Sequence, residues 1–244
     1  MRSFRRSLAA AVLGALLTAG GCATNPVTGK SQLVLIGEQE EVALGNQYYP
    51  ITTQLSEGPT PHRDVQELVR RVGMAMARNS ERPNLPWDFN VVDSNQPNAY
   101  ALPGGKISVT RGLITRMNSE DQLASVLAHE IGHVTAKHAV VSASRQQLLG
   151  AALGVGGAVL QSQGVPGAGA IELAGQIGAT LLVQKYSRDQ ERQSDELGLK
   201  YMTAAGYNPR AFVETMQVLA AASRAEPSKF ETLFASHPVT SERL

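Results

Sequence analysis

The stretch His129-Glu130-Ile131-Gly132-His133 decides how the rest of this 244-residue sequence is interpreted. Residues four apart on a helix lie nearly above one another, so both imidazoles can reach a single metal ion. Glu130 is rotated by about 100° from His129, which places its carboxylate beside the metal instead of on it. There it can take a proton from an activated water and return one to a leaving amine. The spacing therefore predicts a metal-dependent hydrolytic site on a helix.

The helix that carries this motif is expected to begin after Ser119, because Gln122 follows three residues later and completes a capping box. Apolar residues recur at helical spacing up to the motif, so we expect a rigid, core-anchored helix that continues to about Ser142. Nitrogen ligands with one open coordination position favour zinc, and we expect one zinc ion per chain. The alternative is a pair of surface histidines on an amphipathic helix without a metal.

A catalytic zinc ion needs a third protein ligand while keeping a position for water. His138 lies five residues beyond His133, about 140° further round the same helix, and is expected to point elsewhere. Glu191 is the better candidate, and Asp195 shares its helical face four residues later. Asp195 is then placed to accept the second ring N–H of a ligating histidine. The alternative for this pair is an ordinary solvated helix face.

Two short strands are predicted around a Pro-Gly-Gly turn, the first ending at Leu102 and the second running from Lys106 to Thr110. A strand beside the zinc can pair with an extended substrate through backbone hydrogen bonds. We therefore expect the first strand to bind substrate; its residues are Asn98, Ala99, Tyr100, Ala101 and Leu102. An ordinary interior strand is the alternative.

His237 is a further candidate site residue whose role the sequence leaves open. Its imidazole can hydrogen-bond the oxyanion of a tetrahedral intermediate, or it can occupy the fourth zinc position when the enzyme is idle. A buried structural histidine is the third alternative.

The composition describes a globular chain and excludes several functional classes. Hydrophobic residues make up 43% and charged residues 18%, which excludes wholesale disorder. The formal net charge is +1, so we expect no nucleic acid partner. The single cysteine, Cys22, excludes an intramolecular disulfide framework and a cysteine-based zinc cluster.

The N-terminus has the plan of a bacterial lipoprotein signal. Residues 1–21 combine a basic start, a short apolar stretch and small residues directly before Cys22. We expect Cys22 to carry the lipid anchor, residues 22–36 to form a lipidated tether, and residues 37–244 to form the catalytic domain. Ala23, in place of an aspartate, resembles the signal for the outer membrane, facing the periplasm. An ordinary cleaved signal with an incidental cysteine is the alternative.

Four ordered stretches resemble the CAAX-prenyl-protease-type and heat-shock-protein-X-type zinc endopeptidases, family forty-eight of the metallopeptidases. They are Asn98 to Gly105, His129 to His133, Glu191 to Gly198, and Ser236 to Arg243. The resemblance implies an α+β, mostly helical, zincin-like fold of the gluzincin type, with a small antiparallel sheet beside the motif helix. The resemblance also implies that His129, His133 and Glu191 bind zinc. It further implies that Glu130 is the general base and that Asp195 lies behind a ligand.

The sequence departs from that family pattern in two places. Integral-membrane members carry spanning helices, some of them between the histidine motif and the glutamate, where this sequence has Leu148 to Val183. Polar residues, Gly and Pro interrupt that interval, so we expect a helical pair covering the site in preference to a hairpin that dips into lipid. The sequence ends soon after Arg243, so we expect a short single-domain member without a helical-repeat domain.

These features together predict a lipid-anchored zinc endopeptidase of the bacterial envelope. Unfolded or misassembled envelope proteins are the expected substrates, which follows from the resemblance and the N-terminal signal. Two alternatives stay open: a chaperone or assembly factor that binds unfolded chains with little turnover, and a zinc aminopeptidase. The sequence indicates neither the cleavage preference nor the oligomeric state.

Overall fold

The computed structural model describes residues 22–152 and 185–237. Helices dominate these residues; two short strands precede the first helix, and three lie between the second and third helices. The elements, in chain order, are β1 (Cys22–Thr24), β2 (Ser31–Leu33), α1 (Glu38–Leu55), α2 (Arg63–Ala77), β3 (Asp88–Val92), β4 (Ala99–Leu102), a 3-10 turn (Pro103–Gly105), β5 (Lys106–Thr110), α3 (Arg111–Ile114), α4 (Glu120–Thr135), α5 (His138–Ala152), α6 (Arg188–Ala204), α7 (Arg210–Ala225) and α8 (Pro227–Ser236). The α+β, mostly helical class expected from the sequence is confirmed.

The sheet beside α4 is mixed, where a purely antiparallel sheet was expected. β5 lies in the middle, antiparallel to β4 on one side and parallel to β3 on the other. The tight turn between β4 and β5 makes that pair antiparallel, and its Gly104 and Gly105 supply the positive φ angles of 71° and 86°. β5 lies between β3 and β4, so β3 pairs with β5 and not with β4. β3 and β5 run in the same direction, which makes this pair parallel. β4 is therefore an edge strand next to the motif helix.

The motif helix α4 is the centre of the core and packs against α2, α6, α7 and β4. Leu127 and Ile131 are fully buried on it, and burial of such side chains contributes about 1.5–3 kcal/mol each. Gly132 allows α6 to approach closely, since a Cβ there would lie 2.6 Å from Ser194 Oγ and 2.9 Å from the Ser194 carbonyl oxygen. The packing thus holds α6 directly against the histidine motif.

The motif helix ends earlier than the sequence indicated. α4 stops at Thr135 and a separate helix, α5, begins at His138, so the prediction of one helix to about Ser142 is wrong. Between them Lys137 has a φ of 61°. A residue with a Cβ adopts this left-handed conformation only where its surroundings over-determine it.

A buried ionic cluster stabilises this conformation of Lys137. Lys137 Nζ donates a hydrogen bond of 2.9 Å to Glu41 Oε2, and Arg82 donates to both carboxylate oxygens of the same glutamate at 2.7 and 2.9 Å. Arg82 also donates to the backbone oxygen of Val134, in the last turn of α4, at 3.0 Å. These contacts come from α1 and from the loop after α2, so the helix break is a tertiary effect.

The N-terminal part of the described chain folds against α5. β1 and β2 form an antiparallel hairpin, and Val34 after it packs in one buried cluster with Val140 and Val141. The Leu35 N–H donates to Ser144 Oγ at 3.0 Å. The segment predicted as a tether is therefore packed on the domain over these residues, while its lipidation stays a prediction.

Two predicted segments fall outside the described residues. They are the signal peptide at residues 1–21 and most of the interval Leu148 to Val183. In the part of the chain that is described, no helix has the length and apolar character needed to cross a bilayer.

Candidate metal centre

Four buried side chains converge at the centre of the molecule: His129 and His133 from α4, Glu191 from α6, and His237 directly after α8. Each offers one ligand atom, and these atoms all lie within 4.8 Å of one another. The structure thus brings the two motif histidines and the distant glutamate to one point, as the sequence predicted. It also places His237, for which the sequence left a ligand role open, in the same group.

The distances between the ligand atoms fit a small divalent ion. His129 Nε2 and His133 Nε2 are 3.0 Å apart, and the carboxylate oxygens of Glu191 lie 3.5 and 3.3 Å from them. A tetrahedral ion with bonds of about 2.05 Å to its ligands requires ligand separations of about 3.4 Å. Two imidazole nitrogens and a carboxylate oxygen form a donor set typical of zinc. The residues present therefore fit the metal ion that the motif implies.

The electrostatics of the cluster favour a cation. Burial lowers the pKa of His129, but the charges and hydrogen bonds of Glu191 and Asp195 outweigh it and raise that pKa to about 10. Burial likewise opposes ionisation of Glu191, yet His129, His133 and His237 hold the pKa of this carboxyl far below its ordinary value. The pKa of His133 is lowered by burial, which keeps the imidazole neutral, as a metal ligand must be.

His129 is oriented from behind by α6. Its Nδ1 lies 2.8 Å from Asp195 Oδ1, so the N–H faces the carboxylate and Nε2 faces the cluster. Ser194 Oγ donates to the backbone oxygen of His129. Asp195 thus lies where the sequence prediction required it, next to the outer nitrogen of a candidate ligand.

His138 lies outside the group of ligand atoms, as expected, but it contacts the outer nitrogen of His133, which the sequence did not indicate. Its Nδ1 is 2.9 Å from His133 Nδ1, and its Nε2 is 2.9 Å from Gln193 Oε1. Burial lowers the pKa of His138 to about 4. Tyr186 also packs on His133, with ring centroids 3.8 Å apart. Sequence reasoning missed these contacts because the helix break at Lys137, which turns His138 inward, has no local signal such as Gly or Pro.

Glu130 lies beside the ligand group and outside it. The side chain is 3% exposed, and its Oε1 is 3.6 Å from His237 Nε2. Its Oε2 is buried and has no hydrogen-bond partner among the residues that the structure describes. A buried carboxylate oxygen of this kind fits a bound water at the site.

His237 reaches the cluster through Nδ1, which lies 3.2 Å from His129 Nε2 and 3.1 Å from Glu191 Oε1. The imidazole therefore stands at the distance of a fourth ligand. Of the three roles that the sequence left open, this placement favours one inside the metal centre over a purely structural one.

A cavity of about 600 Å³ opens beside the cluster. Asn98, Tyr100, Ala101 and Leu102 line one side of it, and Tyr186 and His237 lie across from them. Ala99 is buried and lines a smaller, largely apolar cavity of about 50 Å³ that also reaches Glu130. The predicted substrate strand is therefore an edge strand along the open side of the metal centre.

Known proteins resemble this chain over most of its length. The model of peptidase family M48 matches residues 62–244. The chain is 29% identical over 223 residues to the beta-barrel assembly-enhancing protease of Yersinia pestis, covering 90% of this chain and 45% of that protein. Its identity to the same-named protein of Escherichia coli K12 is 26%, covering 100% and 52%. Identity to the mitochondrial metalloendopeptidase OMA1 of Arabidopsis thaliana is 32%, covering 60% and 28%. The chain thus spans about half the length of the bacterial relatives.

Proposed function

The chain belongs to peptidase family M48, and from this premise we propose that it is a zinc-dependent endopeptidase acting on proteins of the bacterial envelope. The observation that carries the proposal is the convergence of His129, His133 and Glu191 around one point, with Glu130 beside them. M48 peptidases are metal-dependent, and the buried histidine and glutamate group is suited to hold a metal ion.

His129, His133 and Glu191 would hold the zinc ion. A bound divalent ion supplies Lewis acidity, which lowers the pKa of water and polarises a substrate carbonyl. Asp195 keeps the proton of His129 on Nδ1 and leaves Nε2 for the metal. The close packing of α6 on Gly132 fixes Glu191 relative to the two histidines, which preorganises the ligand set.

Glu130 is proposed as the general base. Its unpartnered Oε2 would accept a proton from the attacking water and later deliver a proton to the leaving amine. Because the carboxylate is buried, bulk water does not compete for this hydrogen bond. General base catalysis of this kind contributes about 10²–10⁴ in rate.

His237 is proposed to close the resting site. Its Nδ1 lies among the ligand atoms, so the imidazole would complete the ligand set until a substrate displaces it. Stabilisation of the oxyanion of the tetrahedral intermediate is the second candidate role, and removal of the imidazole distinguishes the two.

β4 is proposed to bind substrate through its free edge, from Asn98 to Leu102. β4 pairs only with β5 among the described strands, and its residues line the cavity next to the cluster. Backbone pairing with an edge strand needs no free peptide terminus and depends little on side chains. This arrangement supports an endopeptidase in preference to an aminopeptidase.

The proposed setting is the periplasmic face of the outer membrane. Two of the bacterial relatives are named beta-barrel assembly-enhancing proteases, which supports a protease in envelope protein assembly. We propose lipidation of Cys22 as the anchor, on the basis of the signal pattern before it. Unfolded or misassembled envelope proteins would be the substrates.

Comparison of Glu130→Gln with the unaltered chain tests the proposal. The substrate is an internally quenched peptide blocked at its N-terminus, and bound zinc is measured by elemental analysis. We expect cleavage to fall by about 10²–10⁴ while the zinc content stays unchanged, because the amide has the same shape but cannot accept the proton. Exposed Glu214 on α7 supplies the matched control, Glu214→Gln.

Each other outcome removes one part of the proposal. Equal cleavage by Glu130→Gln would exclude Glu130 as the base, and cleavage that survives a chelator would exclude the metal. Failure to cut blocked peptides while free ones are cut would indicate an aminopeptidase. A chaperone would suppress aggregation of unfolded envelope proteins equally well with Glu130→Gln, without cleavage by either form.

A further inference from the structure

A chain of hydrogen bonds runs behind His133, on the side away from the other candidate ligands. It passes from Gln193 on α6 to His138 at the start of α5 and then to His133. We propose that His138 and Gln193 are positioning residues that fix the tautomer of His133 and thereby strengthen metal binding. This inference rests on the proposed role of His133 as a ligand.

The direction of the hydrogen bonds follows from their acceptor end. Gln193 Oε1 can only accept, so the His138 Nε2 atom 2.9 Å away carries the proton and donates it. A neutral imidazole has a single N–H, which leaves His138 Nδ1 as an acceptor. The His133 Nδ1 atom 2.9 Å away must then donate. His133 Nε2 consequently keeps its lone pair, and this atom faces His129 and Glu191.

Contacts between α5 and α6 hold this relay in place. His138 is 4% exposed, and the helix break at Lys137 sets the direction of its side chain. Gln190 Nε2 donates to the His138 backbone oxygen at 3.4 Å and to Ser142 Oγ at 3.2 Å. The side chain of Gln193 reaches the imidazole itself, whereas Gln190 contacts only the backbone and a neighbouring hydroxyl.

The two candidate histidine ligands differ in what supports them. His129 is backed by the carboxylate of Asp195, and His133 is backed by the neutral pair of His138 and Gln193. The charges of a dipositive ion, Glu191, Asp195 and an ionised Glu130 already sum to −1. A further carboxylate behind His133 would add to this uncompensated negative charge in a buried site, which is costly. A neutral relay orients the ring without that cost.

Zinc affinity of the full chain, measured by competition with a chromophoric chelator, tests the relay. Loss of a partner behind a metal ligand typically lowers affinity 10–100-fold, so we expect Gln193→Leu to bind zinc at least about tenfold more weakly. Gln217→Leu, the same change at an exposed position on α7, is the matched control and should stay within about twofold. His138→Gln, which retains an acceptor oxygen, should bind more tightly than His138→Leu.

The tautomers themselves are visible by NMR of the zinc-loaded chain labelled with ¹⁵N at its five histidines. We expect His133 to be protonated at Nδ1 and His138 at Nε2 only, and we expect Gln193→Leu to abolish this preference of His138. Protonation of His138 at Nδ1 would overturn the relay, as would equal zinc affinity of the two glutamine variants. If the unaltered chain binds no zinc, the proposed function itself fails; if it binds zinc and Gln193→Leu binds equally well, only the relay fails.

Discussion

Replacement of Glu41 by Gln tests how strongly the buried ionic cluster at the end of the motif helix stabilises the fold. The side chains of Glu41, Arg82 and Lys137 are only 1%, 4% and 9% exposed. The amide keeps the shape of the glutamate but leaves two cations in the interior. Removing one partner of a buried ion pair costs about 3–5 kcal/mol. Since Arg82 retains its contact of 2.9 Å with exposed Glu38, we expect a loss near the lower end of that range.

The assay is urea denaturation of the full chain at pH 7, followed by circular dichroism. A domain of this size has a free energy of unfolding of about 5–15 kcal/mol, so the expected loss is a large fraction of the whole. Glu67→Gln, at an exposed position on α2, is the control and should change the free energy by less than about 0.5 kcal/mol. A loss of under about 1 kcal/mol for Glu41→Gln would refute the reasoning.

A second variant separates buried charge from packing. Simultaneous replacement of Glu41, Arg82 and Lys137 by Met removes all three charges, and apolar replacements of buried ion pairs are often neutral or stabilising. We therefore expect the triple variant to lose less stability than Glu41→Gln alone. A larger loss would show that the hydrogen bonds to the backbone, rather than the uncompensated charges, dominate the cost.

The same cluster predicts a pH dependence. Burial opposes ionisation of Glu41, but Arg82 and Lys137 outweigh it and hold the pKa of the carboxyl below its ordinary value. A pKa that is lowered in the folded state stabilises the fold above the unfolded pKa of about 4.3, and the contribution is lost as the pH falls through the folded pKa. The difference in free energy of unfolding between the unaltered chain and Glu41→Gln should therefore shrink below about pH 4. A constant difference down to pH 3 would contradict it.

Three further predictions concern the packing, the resting state and the anchor. Gly132→Ala places a Cβ 2.6 Å from Ser194 Oγ and should cost about 1–3 kcal/mol in thermal denaturation; an unchanged melting temperature would show that α6 can yield. His237→Ala should raise basal cleavage of a blocked peptide, because the imidazole stands among the ligand atoms, whereas a collapse of cleavage would assign it to the oxyanion. Cys22→Ser should move the chain from the membrane to the soluble fraction of the producing bacterium, and persistent membrane attachment would exclude the lipid anchor.

Local periodicity made the motif helix predictable. The spacing of His129 and His133 depends only on helical geometry, and the structure places both on α4 with their Nε2 atoms 3.0 Å apart. The N-cap is equally local, and Ser119 Oγ does accept from the Gln122 N–H at 3.2 Å. The second half of the predicted capping box differs, because Gln122 Oε1 accepts from the N–H of Asn118 and not from that of Ser119. The edge strand β4 and its turn followed from residue types that favour extended and positive-φ backbone.

Features that depend on distant parts of the chain were not predictable in the same way. Spacing alone left Glu191 as one of several candidates; its place at the cluster depends on the close crossing of α4 and α6 at Gly132. The mixed sheet likewise depends on whether the connection after β3 places β4 next to β3 or on the other side of β5. His138 faces His133 because Glu41, brought from α1, stabilises a left-handed Lys137. Helical propensity depends on the local sequence and does not include such long-range ion pairs. The contact of His138 with His133 therefore arises only when the elements pack together.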